Sequence, residues 1–194
     1  MEKLGGLRTA EGVPLPENTG AELRRCFARL GVVRGQIHAI EQRRLRKLTA
    51  APGEEKGPHA MVRLIARVLA VGAETADMLV NEILSRQLRD RKAVARYAGL
   101  TGSPDESGRR RRERGLARAG NARVRCGMIQ LAWRFLRFQK DSALAQWFHA
   151  RTADGRGSTR KTMIVALARK LLIALWRLAM TGEVSEGIVL RPAS

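Results

Sequence analysis

Ser107, followed by Gly108, has five arginines within seven residues on its C-terminal side: Arg109, Arg110, Arg111, Arg112 and Arg114. A serine hydroxyl attacks only when a base takes its proton or when cations stabilise the charge that develops on its target. Asp105 and Glu106 stand directly before it as candidate proton acceptors. A guanidinium cluster suits a phosphate as the target, so the layout is that of a hydroxyl nucleophile presented to a phosphate backbone. A lone Ser-Gly is also an ordinary surface turn, and residue types alone leave both readings open.

The surroundings favour a polyanion. Between Arg86 and Arg125 thirteen Arg or Lys outnumber four acids, a net of +9. The whole 194-residue chain carries 37 basic against 18 acidic side chains, a net of +19 with a pI near 11.6. That balance predicts affinity for polyanions that falls steeply as salt rises. Nucleic acid is the leading partner, anionic membrane the competitor, and a merely solvated basic face the plain alternative. No membrane span is expected, because the longest apolar segment, Met163 to Met180, is interrupted by Arg169, Lys170 and Arg177. The N-terminus lacks the apolar core of a signal peptide. His38, His59 and His149 are dispersed without ligand spacing, so no metal site is expected. Cys26 and Cys126 make no disulfide framework and fall in apolar helical patterns, where a thiol packs as a small hydrophobe. A reducing, cytoplasmic compartment is the expectation. Trp133, Phe135, Phe138, Trp147, Phe148 and Trp176 could form a base-stacking platform, but their helical spacing favours core.

The elements that must position Ser107 read as helices. Residues 1–18 form an irregular leader. Thr19 and Glu22 then make a capping box at the start of a long helix. In it Leu23, Leu30 and Ile37 repeat at seven, as do Cys26, Val33 and Ile40, an a/d seam that needs a partner helix in this chain or in a second copy. Pro52, Gly53, Gly57 and Pro58 mark a break. Two short helices follow, one through Met61 to Leu69 and one through Ala76 to Ile83, joined near Gly72. That pair is either a helix-hairpin-helix, whose turn amides hold a phosphate, or a plain helical pair. Residues 101–120 hold five glycines or prolines and no apolar periodicity, and read as an exposed loop. A helix begins near Asn121 with Val124, Met128, Leu131, Ala132 and Phe135 inward, another after Asp141, and a last one from about Ser158 to Met180, ended by Gly182. The expected fold is all-α: a coiled-coil or helical-hairpin arm over 19–70, a compact helical domain over 71–182 carrying a basic active-site loop, and a tail over 183–194.

The pattern Tyr97-x-Gly99-Leu100-Thr101, Ser103-Pro104-x-x-Ser107-Gly108, an arginine run, Gly115-x-x-Arg118-x-Gly120-Asn121 and Arg123-x-Arg125 resembles the C-terminal transposase domain of the insertion-sequence 110/116/902 family. The likeness extends in order over the leader Gly12 to Pro16, the coiled-coil helix, the helices around Gly72, Leu131 to Phe148 and Ile164 to Leu172, almost the whole chain. It implies a recombinase that moves an insertion sequence by strand exchange, guided in members studied by an element-encoded RNA. Ser107 takes the role of catalytic nucleophile, forming a covalent phosphoserine link that later lets the strand rejoin. Arg109, Arg110, Arg111, Arg112, Arg114, Arg118, Asn121, Arg123 and Arg125 become the DNA-binding residues.

The chain also departs from that pattern. The family carries, ahead of the coiled coil, an RNase-H-like domain whose four carboxylates bind divalent metal. Here the first aspartate is Asp77, so that domain is expected to be missing and Mg to matter only when it is supplied. The usual Ser-Lys before Gly-Asn is Ala117-Arg118, the usual aromatic after Pro104 is Asp105, and the first glycine of the turn near Gly72 is Ala70. Two functions follow. One is the DNA-binding part of a transposase that acts by serine-mediated exchange. The other is an inactive remnant that binds nucleic acid or pairs with full-length protein. The expected partners are DNA, guide RNA and a second copy through the coiled coil, with no membrane. The expected location is the bacterial cytoplasm, at the nucleoid.

Overall fold

The computed structural model describes residues 6–50, 57–107, 110–116 and 119–192, and the side chains of these apart from 47–50 and 103–115. The expected break at 50–58 lies mostly outside them. They fall into two compact units, Met1–Ala50 and Ala51–Ser194.

In the first unit a short turn precedes one long helix. Arg8 pairs with Pro14 across a turn in which the Thr9 N–H donates to the Val13 carbonyl at 2.8 Å. Helix α1 (Glu17–Ala50) then runs for 34 residues, about 51 Å at 1.5 Å per residue. It starts before the expected capping box. The Pro16 carbonyl accepts the first helical bond from the Gly20 N–H at 2.9 Å, and Pro16 supplies a backbone already set for that role. Thr19 therefore sits inside the helix, and Glu22 binds Arg25 Nε at 2.9 Å instead of capping. Leu30, Val33, Ile37 and Ile40 of the seam are each about half exposed.

The second unit is built around one buried helix. Helices α2 (Pro58–Ala66), α3 (Ala73–Leu79), α4 (Arg91–Tyr97), α5 (Ala122–Phe138), α6 (Ala143–Arg151) and α7 (Gly157–Thr181) follow in order, with a π-helical turn at Val80–Leu84 continuing α3. Helix α7 packs against α2, α4, α5 and α6. It can do so because Ile164, Leu167, Ala168, Leu171, Leu172, Leu175 and Leu178 recur at helical spacing and are all buried. Each such Leu or Ile contributes roughly 1.5–3 kcal/mol by leaving water. Gly182, at φ +73°, closes α7 in the left-handed cap expected of it. The inward residues expected of α5, from Val124 to Phe135, are also all buried. Helix α2, the return arm in the helical-hairpin alternative, packs on α3 and α7. No helix among the described residues is long and apolar enough to cross a membrane.

Two expectations about packing are corrected. Cys26 and Cys126 are free and exposed, Cys126 because it lies off the buried stripe of α5. Phe135 and Phe148 are core, but Trp133 and Phe138 are exposed. Trp133 carries the Arg160 guanidinium at 5.1 Å and Trp147 the Lys170 ammonium at 4.8 Å, so cations cover the faces that the core leaves open. In the turn joining α2 to α3, three amides have carbonyl partners. The Val68, Leu69 and Val71 N–H groups donate to Ile65, Val189 and Val68 carbonyls at 3.1, 3.0 and 2.9 Å.

The tail makes that turn. Gln139, 2% exposed, donates from Nε2 to the Leu69 and Val189 carbonyls and accepts from the Val189 N–H, each at 2.9 Å. The Arg191 guanidinium donates to the Ala66 and Val71 carbonyls at 2.8 and 3.1 Å. Between these bonds Ala70 is held at φ +85°, a region that costs a residue with a Cβ about 1–2 kcal/mol.

Candidate nucleic-acid interface

The expected loop at 101–120 is in fact a β-ribbon. Strands β1 (Gly102–Ser107) and β2 (Arg110–Leu116) pair antiparallel, with Asp105 opposite Arg112, Glu106 opposite Arg111 and Ser107 opposite Arg110. Opposite charges on facing positions favour such a register. The ribbon has no apolar alternation, the sequence mark of a half-buried strand. A slip between Gly102 and Ser103 leaves Gly115 as an extra residue on β2, a bulge. The all-α class therefore describes the body of the unit, and the ribbon is its one exception among the described residues.

This arrangement puts Ser107 at the last pair of β1 and Arg110, Arg111, Arg112 and Arg114 along β2. Arg109 and Arg118 lie outside the described residues, as do the side chains of Ser107 and of the β2 arginines.

Two glycines close the ends of the ribbon. Gly99 (φ +65°) follows α4 and Gly120 (φ +92°) precedes α5. A Cβ on Gly120 would lie 2.6 Å from the Gly99 nitrogen and 2.6 Å from the Tyr97 carbonyl oxygen. A Cβ on Gly99 would run into the Ala119 carbonyl. This close approach lets the Asn121 N–H donate to the Tyr97 carbonyl at 2.7 Å, so the two ends of the motif are one corner. The Arg86 guanidinium covers the Tyr97 ring at 4.9 Å from its centre.

Asn121 caps α5, its side-chain oxygen accepting from the Arg123 and Val124 N–H groups at 3.0 and 3.1 Å. Its amide nitrogen donates to Glu82 Oε2 at 2.9 Å, and Arg123 Nη1 donates to Glu82 Oε1 at 3.1 Å. Arg125 Nη1 reaches the Ala119 carbonyl at 3.4 Å. Asn121, Arg123 and Arg125 thus hold the corner in this structure. Glu82 carries no sequence signal of this role. It lies 39 residues before Asn121 on the π-helical turn, an element enriched at functional sites, and no local spacing announces it.

Glu82→Ala is expected to cost about 1–2 kcal/mol. Two hydrogen bonds to a carboxylate would be worth more, but Arg123 is 64% exposed and water screens its share. Chemical denaturation measures the loss, and amide exchange should quicken first at Arg123 and Val124, whose cap loosens.

A basic helical unit with a β-ribbon whose ends meet at a glycine corner is the class of protein defined here. Residues 62–148, from within α2 to α6, match the Transposase IS116/IS110/IS902 family. A protein of Sinorhizobium fredii named "Putative transposase y4rJ" is 42% identical over 97% of this chain and 49% of its own length. Residues 62–148 carry the transposase domain of this family. The chain spans about half the length of the curated relative it matches.

Proposed function

We propose that this chain is the DNA-binding C-terminal part of an insertion-sequence transposase and acts in DNA transposition by serine-mediated strand exchange. The observation that carries the reading is the pairing of Ser107 with Arg110 at one end of a ribbon whose second strand holds three more arginines. In the proposed step the Ser107 oxygen bonds to a backbone phosphorus while the departing sugar oxygen takes a proton, and the reverse step rejoins a strand. Arginines beside the phosphorus stabilise the negative charge that builds there. Divalent metal, when bound, would add its positive charge to that stabilisation, and among the described residues no group of His, Cys, Asp or Glu could hold it. The half-exposed seam of α1 suits pairing with a second copy or with full-length protein. A guide RNA is a further partner in this reading.

An inactive remnant that binds nucleic acid is the second reading. Ala70 favours it, since it keeps a left-handed backbone where the family pattern has glycine, as a chain under relaxed selection would.

Both readings require the ribbon to bind phosphates. Changing Arg110, Arg111, Arg112 and Arg114 to Gln is expected to weaken duplex DNA binding about equally on every sequence. It should also lower the slope of log affinity against log salt by up to about 0.9 for each phosphate no longer neutralised. Fluorescence anisotropy across a salt series measures this, and an unchanged slope would place the phosphate-binding residues off the ribbon.

A further inference from the structure

One face of α7 lines a cleft of about 850 Å³ together with the start of α4 and the base of the ribbon, at Gly102 and Leu116. Six cations line it, Arg91, Lys92, Lys161, Arg169, Lys170 and Arg177, and no acid does. None of the six makes an ion pair with a carboxylate among the described residues. Leu100, Val165 and Ile173 contribute an aliphatic floor, and no aromatic ring lines the cleft.

The spacing on α7 is regular. Lys161, Val165, Arg169, Ile173 and Arg177 follow one i, i+4 ridge that winds round the helix, so successive cations are separated by about 12 Å of axial rise over roughly 24 Å of helix. Arg91 and Lys92 occupy the first turn of α4, the end where the helix dipole disfavours positive charge. Asp90 caps that end, its carboxylate accepting from the Ala93 N–H at 2.7 Å.

We propose that this cleft is a second nucleic-acid site, which holds the phosphates of a single polynucleotide strand between α7 and the start of α4. A cleft of this volume lies in the range of ligand pockets and is too small to admit a duplex, whereas a strand of a few nucleotides can lay its sugars on the aliphatic floor. Without aromatic rings to stack on, binding is carried by charge and does not depend on sequence. Because the cleft opens at the base of the ribbon, a strand leaving a duplex on β2 would pass directly onto α7. The site is separate from the ribbon arginines and is tested separately.

The test uses the 194-residue chain with Lys161, Arg169 and Arg177 all changed to Gln, and a second variant, Thr162→Glu, which sets a carboxylate on the exposed cleft wall. Gln keeps much of each stem, and circular dichroism confirms that both variants are folded. Anisotropy is read with a mixed 20-nucleotide DNA strand, the matching RNA strand and the DNA duplex. Each neutralised phosphate is worth about 0.7 in salt slope on a single strand, or roughly 0.7 decade of affinity at 0.1 M salt. The triple variant should therefore bind the strand about 100-fold more weakly with a slope lower by about 2, and Thr162→Glu should weaken it in the same direction. Equal loss on DNA and RNA supports a site that reads only the shared backbone; loss on one of them supports the site and names its strand. Unchanged strand affinity, loss confined to the duplex, or preferential capture of an acidic peptide by the intact cleft overturns the proposal. Binding that responds to the ribbon variant alone removes the cleft and leaves the ribbon reading standing, while a chain that binds no polynucleotide removes both.

Discussion

Ser107→Ala is expected to abolish covalent attachment to DNA in a reaction that combines this chain with the half of a family relative that it does not span. These 194 residues by themselves are expected to form no attachment at all. A serine hydroxyl is a weak nucleophile, and the phosphate it attacks gains charge as the new bond forms. Removing a single preorganised donor from such a site costs roughly 10²- to 10³-fold in rate, and among the described residues no group of His, Cys, Asp or Glu could hold a metal ion. Denaturing gels of labelled DNA measure the result, since a phosphoserine link survives denaturation. If the isolated chain forms an adduct that Ser107→Ala removes, the claim of inactivity fails and the enzyme reading is strengthened. If the combined reaction yields an adduct that Ser107→Ala leaves intact, Ser107 is not the nucleophile. No adduct with either protein, alongside retained DNA binding, favours the remnant.

Gly120→Ala is expected to destabilise the second unit by roughly 3 kcal/mol or more. The left-handed backbone at φ +92° costs any residue with a Cβ about 1–2 kcal/mol. The new methyl would also lie within 2.9 Å of three backbone atoms, from Arg96, Tyr97 and Gly99, none of which can swing away as a side chain would. Relief means parting α4 from α5, which breaks the Asn121 to Tyr97 hydrogen bond for about 1–3 kcal/mol more. Gly155→Ala is the control, because Gly155 is also left-handed, at φ +68°, but a Cβ there meets nothing within 4 Å. Calorimetry should show Gly155→Ala lowering the melting temperature by a few degrees and Gly120→Ala by at least twice as much. Equal shifts would mean that the glycine corner is not tightly closed. Since the corner sets where both strands of the ribbon begin, Gly120→Ala should also weaken DNA binding at temperatures where the body remains folded.

The helices were legible because their signals are local. Val124 to Phe135 and Ile164 to Leu178 each declare a buried stripe by spacing within one element, and Asn121 and Gly182 mark ends through their own backbone preferences. The ribbon was not legible. A strand with a buried face alternates apolar and polar residues, whereas Gly102–Ser107 and Arg110–Leu116 alternate nothing apolar and are matched by charge across the pair. The cations of α7 are visible in the sequence, where they speak only against a membrane span. Their separation by eight residues is equally plain there, and the neighbouring wall that gives it meaning is not.

By itself the sequence determined the helical class, the basic charge, the burial of α5 and α7 and the motif that joins Ser107 to the arginines. Those properties depend on residues within a few turns of one another or on composition. Tertiary structure alone decided that Gly99 and Gly120 meet, that Glu82 holds Asn121 and Arg123, that Gln139 ties the tail to the α2–α3 turn, and that one row of α7 faces α4 across a cleft. Each of these joins segments far apart in the chain, and such pairings follow from how the helices pack, which no spacing within a single segment encodes.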